Sequence, residues 1–165
     1  MKLTRLDKLR LRLVAQDACL GWAFREIAGR PGVVFELGLG HGRTYDHIRT
    51  HLPDRDIYVF DREVDCYEDC IPPADRMIVG DMRDTVPDAV RRFAGRVALL
   101  HADTGSYGDK HNSAMQALLN ASLGGALAPG GLLLSDLKLA VQGTEPVPLP
   151  PGATEGRYFI YRDQR

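Results

Sequence analysis

The chain has no apolar run approaching the roughly 18 residues of a membrane-spanning helix. No secretory signal is expected within it: residues 1–12 are basic and amphipathic but lack the uninterrupted apolar stretch such a signal needs. An excess of charge of one sign is missing. The formal net charge is −1 with no basic run or stripe, so nucleic acid gains no long-range attraction and is not expected as a partner. Cysteine is scarce and unpaired in pattern. Cys19, Cys66 and Cys70 are odd in number and contain no CxxC, which excludes a disulfide framework and gives no zinc motif. Reduced thiols in a cytoplasmic protein are the expectation. There are no internal repeats and no linker, and 165 residues suffice for one core, so the expectation is a single domain over 1–165.

What is present is alternation. Leu6, Leu9, Leu13, Leu20, Phe24 and Ile27 space the first thirty residues as a helix, with a possible break at Gln16 and Asp17 and an end at Gly29, Pro31 and Gly32. Short apolar runs follow at 33–37, 57–60, 76–79, 97–100 and 131–135, separated by helical stretches at 44–52, 84–93 and 110–127. Residues 64–70 read as a further short helix. This pattern predicts an α/β fold: a three-layer, doubly wound, mostly parallel sheet of order 3-2-1-4-5 with helices on both faces. The N-terminal helix over 1–30 is an added cover and 33–136 is the core. Within 137–165, proline-rich 146–151 is expected to be loop, and 157–162 a last antiparallel strand near the sheet edge. The leading helix and Tyr158–Tyr161 could present apolar surface, which makes a homodimer possible.

Ligands of such sheets bind beyond the carboxyl ends of the strands. Polar residues stand at each of those ends: Glu36, Asp61, Asp81, His101 with Asp103, and Asp136. Gly38, Gly40 and Gly42 form a GxGxG loop between the first strand and its helix, with Arg43 where a dinucleotide fingerprint has its third glycine. Glu36 beside a diphosphate would be repulsive, which argues against a nicotinamide cofactor and an oxidoreductase. A net-positive ligand suits the acids.

Glu36-Leu37-Gly38-Leu39-Gly40-His41-Gly42 resembles the first motif of class I S-adenosylmethionine-dependent methyltransferases. Asp61 in Val-Phe-Asp-Arg and Gly80-Asp81-Met82 resemble the second and third. The resemblance covers about residues 33–136. It implies that Glu36 serves the methionine ammonium, Asp61 the ribose hydroxyls, and Asp81 with the Met82 amide the adenine. The implied cofactor-binding set is Glu36, Gly38, Leu39, Gly40, Gly42, Asp61, Arg62, Gly80, Asp81, Met82 and Asp103, with S-adenosylhomocysteine as product. Asp103 and Ser135-Asp136 are also similar to the metal region of catechol-type O-methyltransferases. Leu137 stands where that family has its metal-binding Asn, so Mg²⁺ is a minor option and no metal site is expected. Asp103, His101 and His111 are the candidate bases for methylating a small molecule at oxygen or nitrogen. In such enzymes a leading helix, here carrying Trp22, can cover the methionine end. A short C-terminal region leaves a second reading, an S-adenosylmethionine-binding sensor or a degenerate methyltransferase without catalysis.

Overall fold

The computed structural model describes residues 2–165, so Met1 of the basic start lies outside it. Helix α1 (Arg5–Glu26) opens with a capping box: the Thr4 hydroxyl accepts from the Asp7 amide while the Asp7 carboxylate accepts from the Thr4 amide. The rest is β1 (Val33–Leu37), α2 (Arg43–His51), β2 (Ile57–Asp61), β3 (Met77–Val79), α3 (Met82–Arg92), β4 (Val97–Ala102), α4 (Asp109–Ser122), β5 (Leu127–Ser135), β6 (Thr144–Val147) and β7 (Phe159–Asp163). The stretch expected as a short helix before Pro72 is a single 3₁₀ turn, Glu68–Cys70.

The sheet runs β3-β2-β1-β4-β5-β7-β6. Strands β1 to β5 are parallel in the expected order 3-2-1-4-5, and β7 pairs antiparallel with β5. Two expectations are corrected. The proline-rich stretch contributes β6, an edge strand antiparallel to β7 that includes Pro146. Proline is tolerated there because an outer edge needs no amide donor. Strand β7 lies one strand in from that edge, near it as expected, but Tyr158, Ile160 and Tyr161 are buried, so the apolar surface expected there is not available to a second copy.

Side chains alternate between two cores, as a sheet covered on both faces requires. Phe35, Phe60 and Leu133 meet Val86 and Val90 of α3, Leu119 of α4 and Leu123 just after it. Val34, Val59, Leu99 and Leu134 meet Leu20 and Phe24 of α1, Ile27 at its C-terminal cap, and Tyr45 and Ile48 of α2. Helix α1 does not break at Gln16. At about 33 Å it is roughly twice the length of a five-residue strand, so it overhangs the sheet. Its leucine stripe therefore divides: Leu20, Phe24 and Ile27 are core, whereas Leu6, Leu9 and Leu13 are exposed.

Candidate active site

The turn after β1 depends on glycine at two points. Gly38 has φ +96°, and a Cβ there would lie 2.7 Å from the Asp103 carbonyl oxygen. Gly42, at φ +86°, begins α2 with Cys66 and Cys70 packed against it. Gly38→Ala is expected to lower stability by about 2 kcal/mol, from left-handed strain plus displacement of the Asp103 backbone. Urea unfolding of the two chains side by side checks this.

Asp61 holds the loop between these glycines. Its Oδ2 accepts from the Leu39 amide at 2.8 Å and the Gly40 amide at 3.1 Å, and its Oδ1 accepts from the Arg62 amide at 2.7 Å. Asp81, after β3, caps α3 through the Arg83 amide and receives the Arg83 guanidinium at 2.6 and 3.0 Å. Those bonds, with Arg62 at 3.4 Å, hold its carboxyl well below the usual carboxylate range. Glycine loop, Asp61 and Asp81 line a cavity of about 460 Å³, within the roughly 300–1,000 Å³ of small-ligand sites. Its walls divide by chemistry. Carboxylates of Asp61, Asp81 and Asp103 stand along the strand ends, and Met82, Ala114, Met115 and Leu118 form an apolar side able to take a flat ring.

Beneath this cavity lies a buried polar chain. Glu36 and His101 are register partners on adjacent strands and both are fully buried. His101 Nδ1 lies 2.5 Å from Glu36 Oε2, and His101 Nε2 is bonded to the Tyr158 hydroxyl. Gln16 Nε2 donates to the Tyr158 hydroxyl at 3.1 Å and to Asp103 Oδ2 at 3.0 Å. Gln16 has only protons to offer at that nitrogen. The Tyr158 hydroxyl therefore accepts from it and donates to Nε2, which leaves Nδ1–H to donate to Glu36. Burial pushes the Glu36 carboxyl up to about 7, against the pull of His101. Burial alone would lower the His101 imidazole, but the facing Glu36, with Asp103 and Asp136, raises it. Glu36 Oε1 remains buried without a partner.

Asp103 continues outward. Its Oδ1 accepts from Arg12 of α1 at 2.5 Å, and the same guanidinium lies 3.7 Å from Asp136 at the end of β5. Asp136 also accepts from the amides of Thr104 and Gly105. Burial and the neighbouring Asp103 push its carboxyl up to about 6, against those amides and Arg12. On the far side of Thr104 and Gly105 lies a second cavity of about 370 Å³, whose walls include Arg12, Ser106, Asn112, Asp136 and Leu137.

Of the side chains singled out from sequence, Gly38, Gly40, Asp61, Arg62, Asp81, Met82, Asp103 and His111 line the first cavity. Leu39 is buried, and Glu36 and His101 lie in the wall behind. His111 Nε2 is 2.9 Å from the Thr104 carbonyl, so it donates there and keeps Nδ1 free. Trp22 lies instead under Arg162, 5.7 Å from its ring centroid, and lines neither cavity. Sequence reasoning missed Arg12, Gln16 and Tyr158. Gln16 was visible only as a polar interruption of the α1 stripe. Among the described residues no cluster of three His, Cys, Asp or Glu side chains is arranged to hold a metal.

A family model described as S-adenosyl-L-methionine methyltransferase matches residues 3–163. No curated protein matches. Among solved structures, the S-adenosyl-L-methionine methyl transferase from Silicibacter pomeroyi DSS-3 is 44% identical. It covers 98% of this chain and 99% of its own, with a TM-score of 0.94. The putative methylase HI0767 from Haemophilus influenzae shares the fold at 10% identity and TM-score 0.61, over 94% of this chain and 99% of its own. MycE methyltransferase from the mycinamycin biosynthetic pathway, solved with Mg and S-adenosylhomocysteine, does so at 17% identity and TM-score 0.58, over 96% of this chain and 49% of its own.

Proposed function

The chain belongs to the S-adenosyl-L-methionine methyltransferase family, and on that premise we propose that it methylates a small-molecule acceptor at oxygen or nitrogen. The observation that carries this reading is a pair of cavities lined by successive residues of one segment, Asp103 and Thr104 on the first and Gly105 and Ser106 on the second, each of small-ligand size.

The residues fit the methyl donor in the first cavity. Gly38 and Gly40 let the backbone approach it, with Leu39 between them and Gly42 behind the turn; Asp61 offers a carboxylate to hydroxyls, and Asp81 and Met82, which follow Gly80, flank a ring beside the apolar wall. Arg62 lines the same cavity, and the carboxyls of Asp103 and, behind it, Glu36 are assigned to the amino-acid end. When bound, S-adenosylmethionine supplies an electrophilic methyl group and departs as S-adenosylhomocysteine. The chain's own work is to orient both partners, a proximity effect, and to take one proton from the acceptor.

Asp136 is the side chain best placed for that proton, because it lines the second cavity and burial with the neighbouring Asp103 pushes its carboxyl up to about 6. Asp103, clamped by Arg12 and Gln16, and His111, with its free Nδ1, line the first cavity. His101 is a positioning residue: it fixes Tyr158, which with Gln16 fixes Asp103.

Two measurements test this. Calorimetry is expected to give micromolar binding of S-adenosylhomocysteine, and no binding at millimolar ligand would be fatal. In a cell extract supplied with methyl-labelled donor, label is expected in the small-molecule fraction. Label confined to RNA or protein would reject the acceptor class while leaving the donor site intact.

A further inference from the structure

The amphipathic start of the chain gains a meaning in three dimensions that its one-dimensional pattern concealed. Arg5, Lys8 and Arg12 follow one another at spacings of three and four, so they lie along one face of α1. This is a basic stripe where none was expected from the sequence. Its inner end is Arg12, between Asp103 and Asp136. Lys8, one turn outward, lines the second cavity. Arg5 lies at the outer end, its guanidinium carbon 5.7 Å from the centroid of the Tyr107 ring. Tyr107 is 75% exposed and lines the same cavity. Arg157, from the segment leading into β7, joins that lining.

Among the described residues, Lys8 and Arg157 form no ion pair, and Arg12 is the cation already engaged. The lining adds neutral polar groups on Ser106 and Asn112 and an apolar floor of Leu9 and Leu137. Two unengaged cations at one small concavity attract a negative charge, and a fixed carboxylate on its inner side keeps the reacting end separate.

We propose that this cavity is the acceptor subsite and that it selects a small molecule bearing an anionic group, a carboxylate or phosphate ester, held by Lys8 and Arg157. The acceptor's reacting oxygen or nitrogen then points inward toward Asp136. This inference rests on the methyltransferase reading and adds the charge of the substrate to it. Both anion types share the chemistry of a compact, doubly accepting group; the arms of the test distinguish them.

The test uses the full chain saturated with S-adenosylhomocysteine and four aromatic probes followed by ligand-observed NMR: benzoate, phenyl phosphate, benzyl alcohol and benzylamine. Benzoate or phenyl phosphate is expected to bind, the tighter of the two naming the group. Both are expected to weaken roughly tenfold or more in the double variant Lys8→Glu, Arg157→Glu. S-adenosylhomocysteine affinity should stay within about twofold in that variant, which shows that the fold and donor site survive. Equal binding of benzylamine or benzyl alcohol, anion binding indifferent to charge reversal, or no binding of either anion at about 10 mM would overturn the proposal. So would displacement of bound benzoate by a short RNA at micromolar concentration, which would mark the basic stripe as a nucleic-acid surface. Loss of S-adenosylhomocysteine binding by the unaltered chain would instead strike the donor reading on which the proposal stands.

Discussion

Replacing His101 by leucine is expected to cost about 3–5 kcal/mol of folding stability, a large part of the roughly 5–15 kcal/mol that holds a domain together. The substitution leaves the fully buried Glu36 carboxyl without its donor and the Tyr158 hydroxyl without its acceptor. Volume is nearly conserved, so a loss of this size would come from stranded polar groups rather than from a cavity. The double variant Glu36→Leu, His101→Leu discriminates, because removing both members of a buried pair costs less than removing one. Urea unfolding reads both. If the double variant is as damaged as the single one, the pair is not the source.

The same pair sets a pH dependence. Glu36 is raised from 4.5 to about 7 and His101 is raised above 6.5, so the folded state holds more protons than the unfolded one. Stability from the pair is therefore fullest at low pH and is lost as pH rises: from 4.5 through about 7 for Glu36, and above 6.5 for His101. The plot of melting temperature against pH between 5 and 8 should be shallower in the double variant than in the native chain.

Asp61→Ala is expected to weaken S-adenosylhomocysteine binding on the order of 100-fold, with a smaller loss of stability. Two effects combine. A carboxylate that faces the donor cavity disappears, and the Leu39 and Gly40 amides it holds are released. Each charge-assisted hydrogen bond is worth about 1.5–3 kcal/mol, and one or two such bonds account for the factor. Asp61→Asn separates the effects: its amide oxygen can still accept from the loop, so the part due to charge alone remains. Calorimetry of the three chains checks the order native, Asn, Ala. Equal affinity in all three would remove Asp61 from the donor site.

Much of this architecture was legible because it is locally encoded. Parallel strands covered on both faces appear as apolar runs, and acids at their carboxyl ends stand out against those runs. The glycine loop is legible for the same reason, since φ +96° at Gly38 is a demand on one residue. Two kinds of feature escaped. Strand β6 contains Pro146, which reads as a breaker unless the strand is known to lie at an edge. Contacts between distant elements leave no local trace. Nothing near Arg12 announces Asp103, and nothing near Tyr158 announces His101, because those meetings depend on where α1 and β7 are laid on the sheet. The leucines of α1 form one stripe in sequence, and only the overhang beyond the sheet divides them into core and exposed groups.

The hydrogen bond between Gln16 and Tyr158 joins positions 142 residues apart. Every element of the donor cavity precedes Tyr158 in the chain, yet the chain of groups that fixes Asp103 closes only through it. On the ribosome, made from its N-terminus, the protein can lay down its parallel strands before the segment that carries Tyr158 emerges, and Gln16 gains its second partner only when that segment docks.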